Sequence, residues 1–291
     1  YIHSINPSLK LSVSKLKPIS RSFYKLIEIS NMLHICDKFN NHINSFHLAE
    51  GPGGFIEAMT LLRNNFKEDK YYGMTLINND DDIIPGWKKS YNIFSKNKKI
   101  IIDNGYNGKG DLLDINNLWY CYNKYKSSMD LITGDGGFDF STDFENQEIN
   151  ANKLIFSQVT FAIAMQKKKG IFILKIFDIF TEITIDILYL LALLYEKIYI
   201  VKPNTSRYAN SERYIICKYF KLDDTIEILK KLSQMYPLIN KNINIKRFLN
   251  IDIPYIFINK LEDINAIIGQ QQLENILSTF YLIDNPKEEK I

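Results

Sequence analysis

From residue 18 to about 220, short apolar runs alternate with segments whose apolar residues recur every three or four positions. The runs at 43–50 (INSFHLAE), 71–76 (YYGMTL), 98–103 (KKIIID), 128–135 (SMDLITGD), 170–177 (GIFILKIF), 196–201 (EKIYIV) and 212–220 (ERYIICKYF) predict buried strands. The helical period predicts helices over 18–39, 52–66, 114–125, 152–167 and 181–196. Such alternation implies an α/β fold, with a mainly parallel sheet covered by helices on both faces. Residues 202–211 (KPNTSRYANS) are too few and too polar for a helical crossover, so the last two strands are expected to run antiparallel. Beyond 220 the pattern turns helical, at 225–236 and 263–283, which predicts a domain over 1–220 and a helical C-terminal extension over 221–291.

With 291 residues and 46% hydrophobic content, the chain can bury a sizeable core. The longest apolar run, Ile187 to Tyr195, falls far short of the ~20 residues a membrane span needs, so it predicts a buried helix and no membrane partner. Three dispersed cysteines suggest a reducing compartment, and the four histidines form no ligand pair, so no metal is expected. A net charge of +3 decides nothing about nucleic acid, because a local basic face matters more. The start at Tyr1, without a charged-then-apolar leader, predicts a trimmed or partial sequence rather than a secretory one.

The chemistry gathers at strand ends. In HLAEGPGGFIEA (47–58) a strand meets a helix through an acidic residue, a proline and three glycines, with Pro52 placed near the first helical turn. A glycine turn at a helix start suits a phosphate, but neither GxGxxG nor GxxxxGK[ST] is present, and Glu50 would repel one. S-adenosylmethionine, with its amine and sulfonium, fits an acidic turn better; a plain strand-to-helix turn without a ligand fits equally well. Asp135 ends a buried strand where open α/β sheets place ligands, although a turn or helix cap would also use it. Lys175 lies within an apolar strand and needs a partner or a task, unless it snorkels from the strand end. Lys202, Arg207 and Glu212 surround the last loop, and Lys25 lies on the first helix; surface solvation would account for each alone.

Together, EGPGGF, GMTL, TGDGGFD, LKIFDIFT and KPNTSRYANSERYIICK resemble, in order and spacing, the FtsJ-like RNA 2′-O-methyltransferases, most closely the cap-specific mRNA branch of eukaryotes and large DNA viruses. The resemblance covers roughly residues 20–220 and implies a Rossmann-like class I methyltransferase sheet with an antiparallel last strand. It implies a Lys, Asp, Lys, Glu tetrad at Lys25, Asp135, Lys175 and Glu212, with Lys175 as the candidate base for a ribose 2′-hydroxyl. It also implies S-adenosylmethionine as cofactor, held by Glu50, Gly51, Gly53, Gly54, Phe55, Asp111 and Asp135. Because the second strand ends in GMTLINND without an immediate acidic residue, the ribose contact stays unassigned, with Thr75 or Leu76 lining the pocket. RNA contacts are expected from Arg21, Tyr24, Lys202, Ser206 and Arg207, with Tyr208 as a second stacking candidate. The implied substrate is the capped 5′ end of mRNA, the implied partners are other capping or transcription components, and the implied location is intracellular: nucleus, or cytoplasm or virion if viral. An FtsJ-type rRNA or tRNA methyltransferase, or an inactive RNA-binding scaffold of a capping complex, are the alternatives.

Overall fold

Every apolar run expected as a strand forms one in the computed structural model, which describes residues 14–78, 84–137, 146–240 and 245–285. The strands are β1 (Asn44–Leu48), β2 (Lys70–Met74), β3 (Ile100–Ile102), β4 (Met129–Gly134), β5 (Gln166–Ile176), β6 (Tyr195–Val201) and β7 (Arg213–Phe220). They form one sheet in the order β3-β2-β1-β4-β5-β7-β6. The first five are mutually parallel, while β7 runs antiparallel to both β5 and β6. The expected antiparallel pair is therefore present, with β7 inserted inside the sheet.

The sheet is covered on both faces by α1 (Ser22–Met32), α2 (Gly54–Leu62), α3 (Tyr91–Phe94), α4 (Ile115–Tyr125), α5 (Gln147–Met165) and α6 (Glu182–Leu194). The period-two alternation of strand side chains sorts the core into two layers. Along β5, Ile171 and Ile173 join the cluster of Phe23, Leu26 and Ile29 from α1 and Phe55 and Met59 from α2. Phe172, Leu174 and Ile176 join the opposite cluster, with α5 and α6. Each of these fully buried side chains contributes about 1.5–3 kcal/mol relative to exposure. Within α6 the expected burial of the run from Ile187 holds for Ile187, Leu188, Leu190, Leu191 and Leu194, while Leu193 is exposed, and no described helix is long and apolar enough to cross a membrane.

The C-terminal segment forms α7 (Ile226–Ser233), α8 (Tyr236–Asn240) and α9 (Tyr255–Asp284). Leu229, Leu232, Tyr236 and Leu261 belong to the same buried cluster as α5 and α6. Asp186 in α6 anchors the approach to α9: its carboxylate accepts from the backbone N–H of Phe248 (2.8 Å) and Leu249 (3.0 Å) and pairs with Arg247 (3.0 Å). The last part of TGDGGFD, beyond Gly137, and the residues after Asn78 in GMTLINND lie outside the described residues.

Candidate active site

Strand order reverses between β1 and β4, and the crevice outside the carboxyl ends of such strands is where open α/β sheets hold ligands. Glu50 follows β1 there and Asp135 follows β4. The parity of β5 puts Lys175 on the α1 side of the sheet, at the same edge. Because β7 runs the other way, its beginning reaches that edge too: Lys175 faces Tyr214 and Ile176 faces Arg213 across the ladder. A parallel last strand would have carried Glu212 to the far side of the molecule.

The four tetrad residues come together as two ion pairs. Lys25 on α1 approaches Glu212 Oε1 at 2.7 Å and Oε2 at 2.9 Å. Lys175 Nζ donates to the Asp135 carbonyl oxygen at 2.7 Å and lies 3.4 Å from its Oδ1. All four side chains keep 12–15% exposure, enough to meet a ligand while largely shielded from water. Burial raises the Glu212 carboxyl, but Lys25 and Lys175, with hydrogen bonds from Lys25 and Ser206, outweigh it and hold the group below its ordinary value. Gly137 has a steric reason: a Cβ there would stand 3.1 Å from Lys175 Nζ.

The glycine turn is shaped chiefly by the protein itself. A Cβ on Gly54 would lie 2.1 and 2.2 Å from the hydroxyls of Ser20 and Ser22, so glycine lets the entry to α1 seat on α2. Gly53 caps α2 at φ 113, and Gly51 donates its N–H to Thr75 Oγ1 at 3.1 Å. The side chain of Phe55 is core, 6.1 Å from the Tyr214 ring. Glu50 Oε1 accepts from the backbone N–H of Phe55 at 2.5 Å and Ile56 at 3.2 Å, so the helix end that would have held a phosphate holds this carboxylate instead. Its Oε2 is buried with no hydrogen-bond partner among the described residues. Burial, with Asp135 adding, pushes the Glu50 carboxyl well above its ordinary value. A buried carboxyl oxygen without a donor is what an ammonium group would satisfy.

Asp111 lies half-buried in the loop after β3, accepting from the Leu113 N–H at 2.9 Å. That loop reaches the glycine turn through Thr75, since Ile77 N–H donates to the Lys109 carbonyl at 2.8 Å and Gly110 packs on the Thr75 backbone. Arg21, the exposed residue before α1, and Arg207 extend into solvent, while the Tyr24 hydroxyl donates to the Leu16 carbonyl at 3.0 Å. Ser206 is buried and donates to Glu212 Oε1 at 2.8 Å. Lys202 is half-buried, with its ammonium on the side chain of Asn210 at 2.9 Å and the Glu212 carbonyl at 2.8 Å. Burial pulls it down to about 8, the nearby Arg213 and Lys25 acting in the same direction against Glu212 and Asp178.

Two polar groups at this edge escape the motif reading. The fully buried Tyr214 donates its hydroxyl to Asp135 Oδ1 at 2.9 Å, and Gln158 Oε1 accepts the Gly136 N–H at 3.0 Å. Tyr214 could have been found from parity, as the residue facing Lys175 in an antiparallel pair; Gln158, on α5, carries no such signal.

Residues 18–220 match the FtsJ-like methyltransferase family. A Drosophila melanogaster cap-specific mRNA (nucleoside-2′-O-)-methyltransferase 2 is 26% identical over 265 residues, covering 84% of this chain and 36% of the relative. A Caenorhabditis briggsae relative named an inactive cap-specific mRNA (nucleoside-2′-O-)-methyltransferase 1B is 30% identical over 218 residues, covering 71% of this chain and 25% of its own. The chain thus spans about a quarter to just over a third of these relatives' lengths. Among solved structures, one described as a ribosomal RNA methyltransferase from Plasmodium falciparum aligns with a TM-score of 0.50 at 19% identity, over 69% of this chain and 97% of that one. At that identity the likeness concerns the fold.

Proposed function

The chain belongs to the FtsJ-like methyltransferases, and on that premise we propose that it methylates the ribose 2′-hydroxyl at the capped 5′ end of mRNA, converting cap-0 to cap-1 type ends. The observation that carries this reading is the pairing of Lys25 with Glu212 and of Lys175 with Asp135 at one sheet edge. S-adenosylmethionine, when bound, supplies an electrophilic methyl group. Supporting this cofactor, Glu50 keeps one buried oxygen without a donor, which its amine would satisfy; Gly51, Gly53, Gly54, Phe55 through its backbone, Asp111 and Asp135 would form the surrounding cradle.

A 2′-hydroxyl is a weak nucleophile because its proton must leave as the oxygen attacks. Lys175 Nζ, fixed by the Asp135 carbonyl and carboxylate, takes that proton once its ammonium has given one up to solvent, because only the neutral amine has a lone pair to receive it. Lys25, steadied by Glu212, presents positive charge to the same cleft, favouring the developing negative oxygen. On this reading Arg21 and Arg207, both exposed, would meet phosphates, and Tyr24 or Tyr208 would stack on a base. One relative is named inactive, so family membership alone does not carry activity; the filled tetrad favours an enzyme over a scaffold.

Methyl transfer should be measured on cap-0 mRNA, uncapped mRNA and structured RNA, with nuclease mapping of the modified nucleotide. Transfer confined to the capped end is expected; transfer to structured RNA alone would move the assignment to the rRNA or tRNA branch, and none at all to the scaffold. Lys175→Ala should lower turnover by about 10²-fold or more while cofactor binding stays near wild type. Normal turnover by that variant would overturn the role of Lys175.

A further inference from the structure

Glu28 lies one helical turn beyond Lys25 and is absent from the tetrad. Its carboxylate accepts from the backbone N–H of Asn204 at 2.7 Å, the backbone N–H of Thr205 at 2.9 Å and the Thr205 hydroxyl at 2.8 Å. Those residues begin the β6–β7 loop, and Glu212, at the loop's end, is held by Lys25. Helix α1 therefore grips the loop at both ends through two residues one turn apart. Between the grips Ser206 donates to Glu212, and ahead of them the Lys202 ammonium ties the loop's first residue to Asn210 and the Glu212 carbonyl. A surface loop of this length, with two Asn, two Ser and one Pro, has no regular ladder of its own to fix its shape. We infer that Glu28 is a positioning residue, which sets the course of the 202–212 loop and thereby aims the Glu212 carboxylate at Lys25.

The inference rests on the proposed methyl transfer for its kinetic consequence, but not for its structural one. Three charge-assisted hydrogen bonds converge on one carboxylate, and losing them frees the loop at its start. Ser206 then no longer holds Glu212 Oε1 in register, and the pairing with Lys25 loosens. The charged and titratable groups that face Glu212 are Lys25 from α1, Lys175 from β5, Lys202 from the loop and Tyr214 from β7. Weakening the pair with Lys25 removes part of what keeps that carboxyl ionised. A displacement of about 1 Å in such a constellation can cost on the order of 10²-fold in rate.

The test uses the full chain with Glu28→Ala, Glu28→Gln and Ser206→Ala. Expected for Glu28→Ala are faster amide exchange at Asn204 and Thr205, and a Glu212 carboxyl that titrates at higher pH by carbon-13 resonance. Turnover should fall roughly 10- to 100-fold, its acid limb should move to higher pH, and S-adenosylmethionine affinity should stay within about twofold. Glu28→Gln, which keeps an acceptor oxygen, should restore part of the rate, and the Glu28→Ala and Ser206→Ala losses should be less than additive because both act through Glu212. Unchanged Glu212 titration in Glu28→Ala overturns the inference even if the wild-type chain transfers no methyl group. The absence of transfer by the wild type, with the titration shifted as expected, overturns only the proposed activity.

Discussion

At the scale of single residues, the two oxygens of the Glu50 carboxylate differ: Oε1 caps α2, and Oε2 is buried with no donor among the described residues. Burial and Asp135 raise its folded value above the ordinary ~4.3 of an exposed glutamate. Its stabilising effect is therefore complete below the unfolded value and declines as pH rises toward the folded one. A positively charged amine favours the ionised carboxylate, so cofactor uptake should expel a proton at any pH where the folded carboxyl is still protonated. Calorimetric titration with S-adenosylmethionine in buffers of different ionisation enthalpy should read that release. It should vanish in Glu50→Gln, with affinity down roughly 10- to 100-fold; buffer-independent heats in the wild type would show that the amine does not meet Glu50. Motif spacing made Lys25, Asp135, Lys175 and Glu212 legible in the sequence. What it could not show was the helix cap made by Glu50, because a turn of this kind reads the same whether its acidic side chain faces the backbone or a ligand.

Among the elements, strands were more legible than helix limits. The apolar spacing runs on through Ile35 and Phe39 and suggests a first helix over 18–39, yet α1 stops at Met32. There His34 adopts φ 51, the Ile35 N–H returns to the Ser30 carbonyl at 2.9 Å, and Ile35 is buried back beneath the helix. That left-handed ending uses the same apolar residues that prolong the period. Glu212 likewise stands just before β7 instead of opening it, α9 begins at Tyr255, well before the expected 263, and the short α3 carries too few residues for a period. The chain after α1, the end of α2 and the start of β2 are joined by a buried pair, Arg63 Nε to Asp69 Oδ2 at 2.7 Å. Arg63 also donates to the carbonyls of Phe39 (2.8 Å) and Asn41 (2.6 Å), and Asp69 accepts from Ile43 N–H (2.9 Å) and the Tyr71 hydroxyl (2.8 Å). Asp69→Ala would leave a buried guanidinium unpaired and should cost about 3–5 kcal/mol in urea unfolding. A loss under 1 kcal/mol would show that these elements hold together without the pair.

For the molecule as a whole, pH enters through carboxylates held below their ordinary range. Asp69, Asp103 and Glu212 are each raised by burial but lowered further by their donors: Arg63 for Asp69, Tyr125 and Lys124 for Asp103, and Lys25 for Glu212. Their stabilisation is present above the unfolded values of about 3.9–4.3 and is lost as pH falls through the folded ones. The urea midpoint should therefore drop below about pH 4. Asp103→Asn should lower the midpoint near neutrality and flatten this acid decline; an unaltered decline would assign it to other groups. The fold class and the antiparallel pair were readable from alternating patterns and a short polar connection, but the position of β7 between β5 and β6 was not, because strand order depends on long-range pairing. That position bears on how the chain is made. The strand completed last is an interior one, so until residue 220 has left the ribosome, β5 has an open edge at Ile171–Ile176, and the nascent chain carries an adhesive strand while Glu212, the last member of its tetrad, arrives only with the strand that closes it.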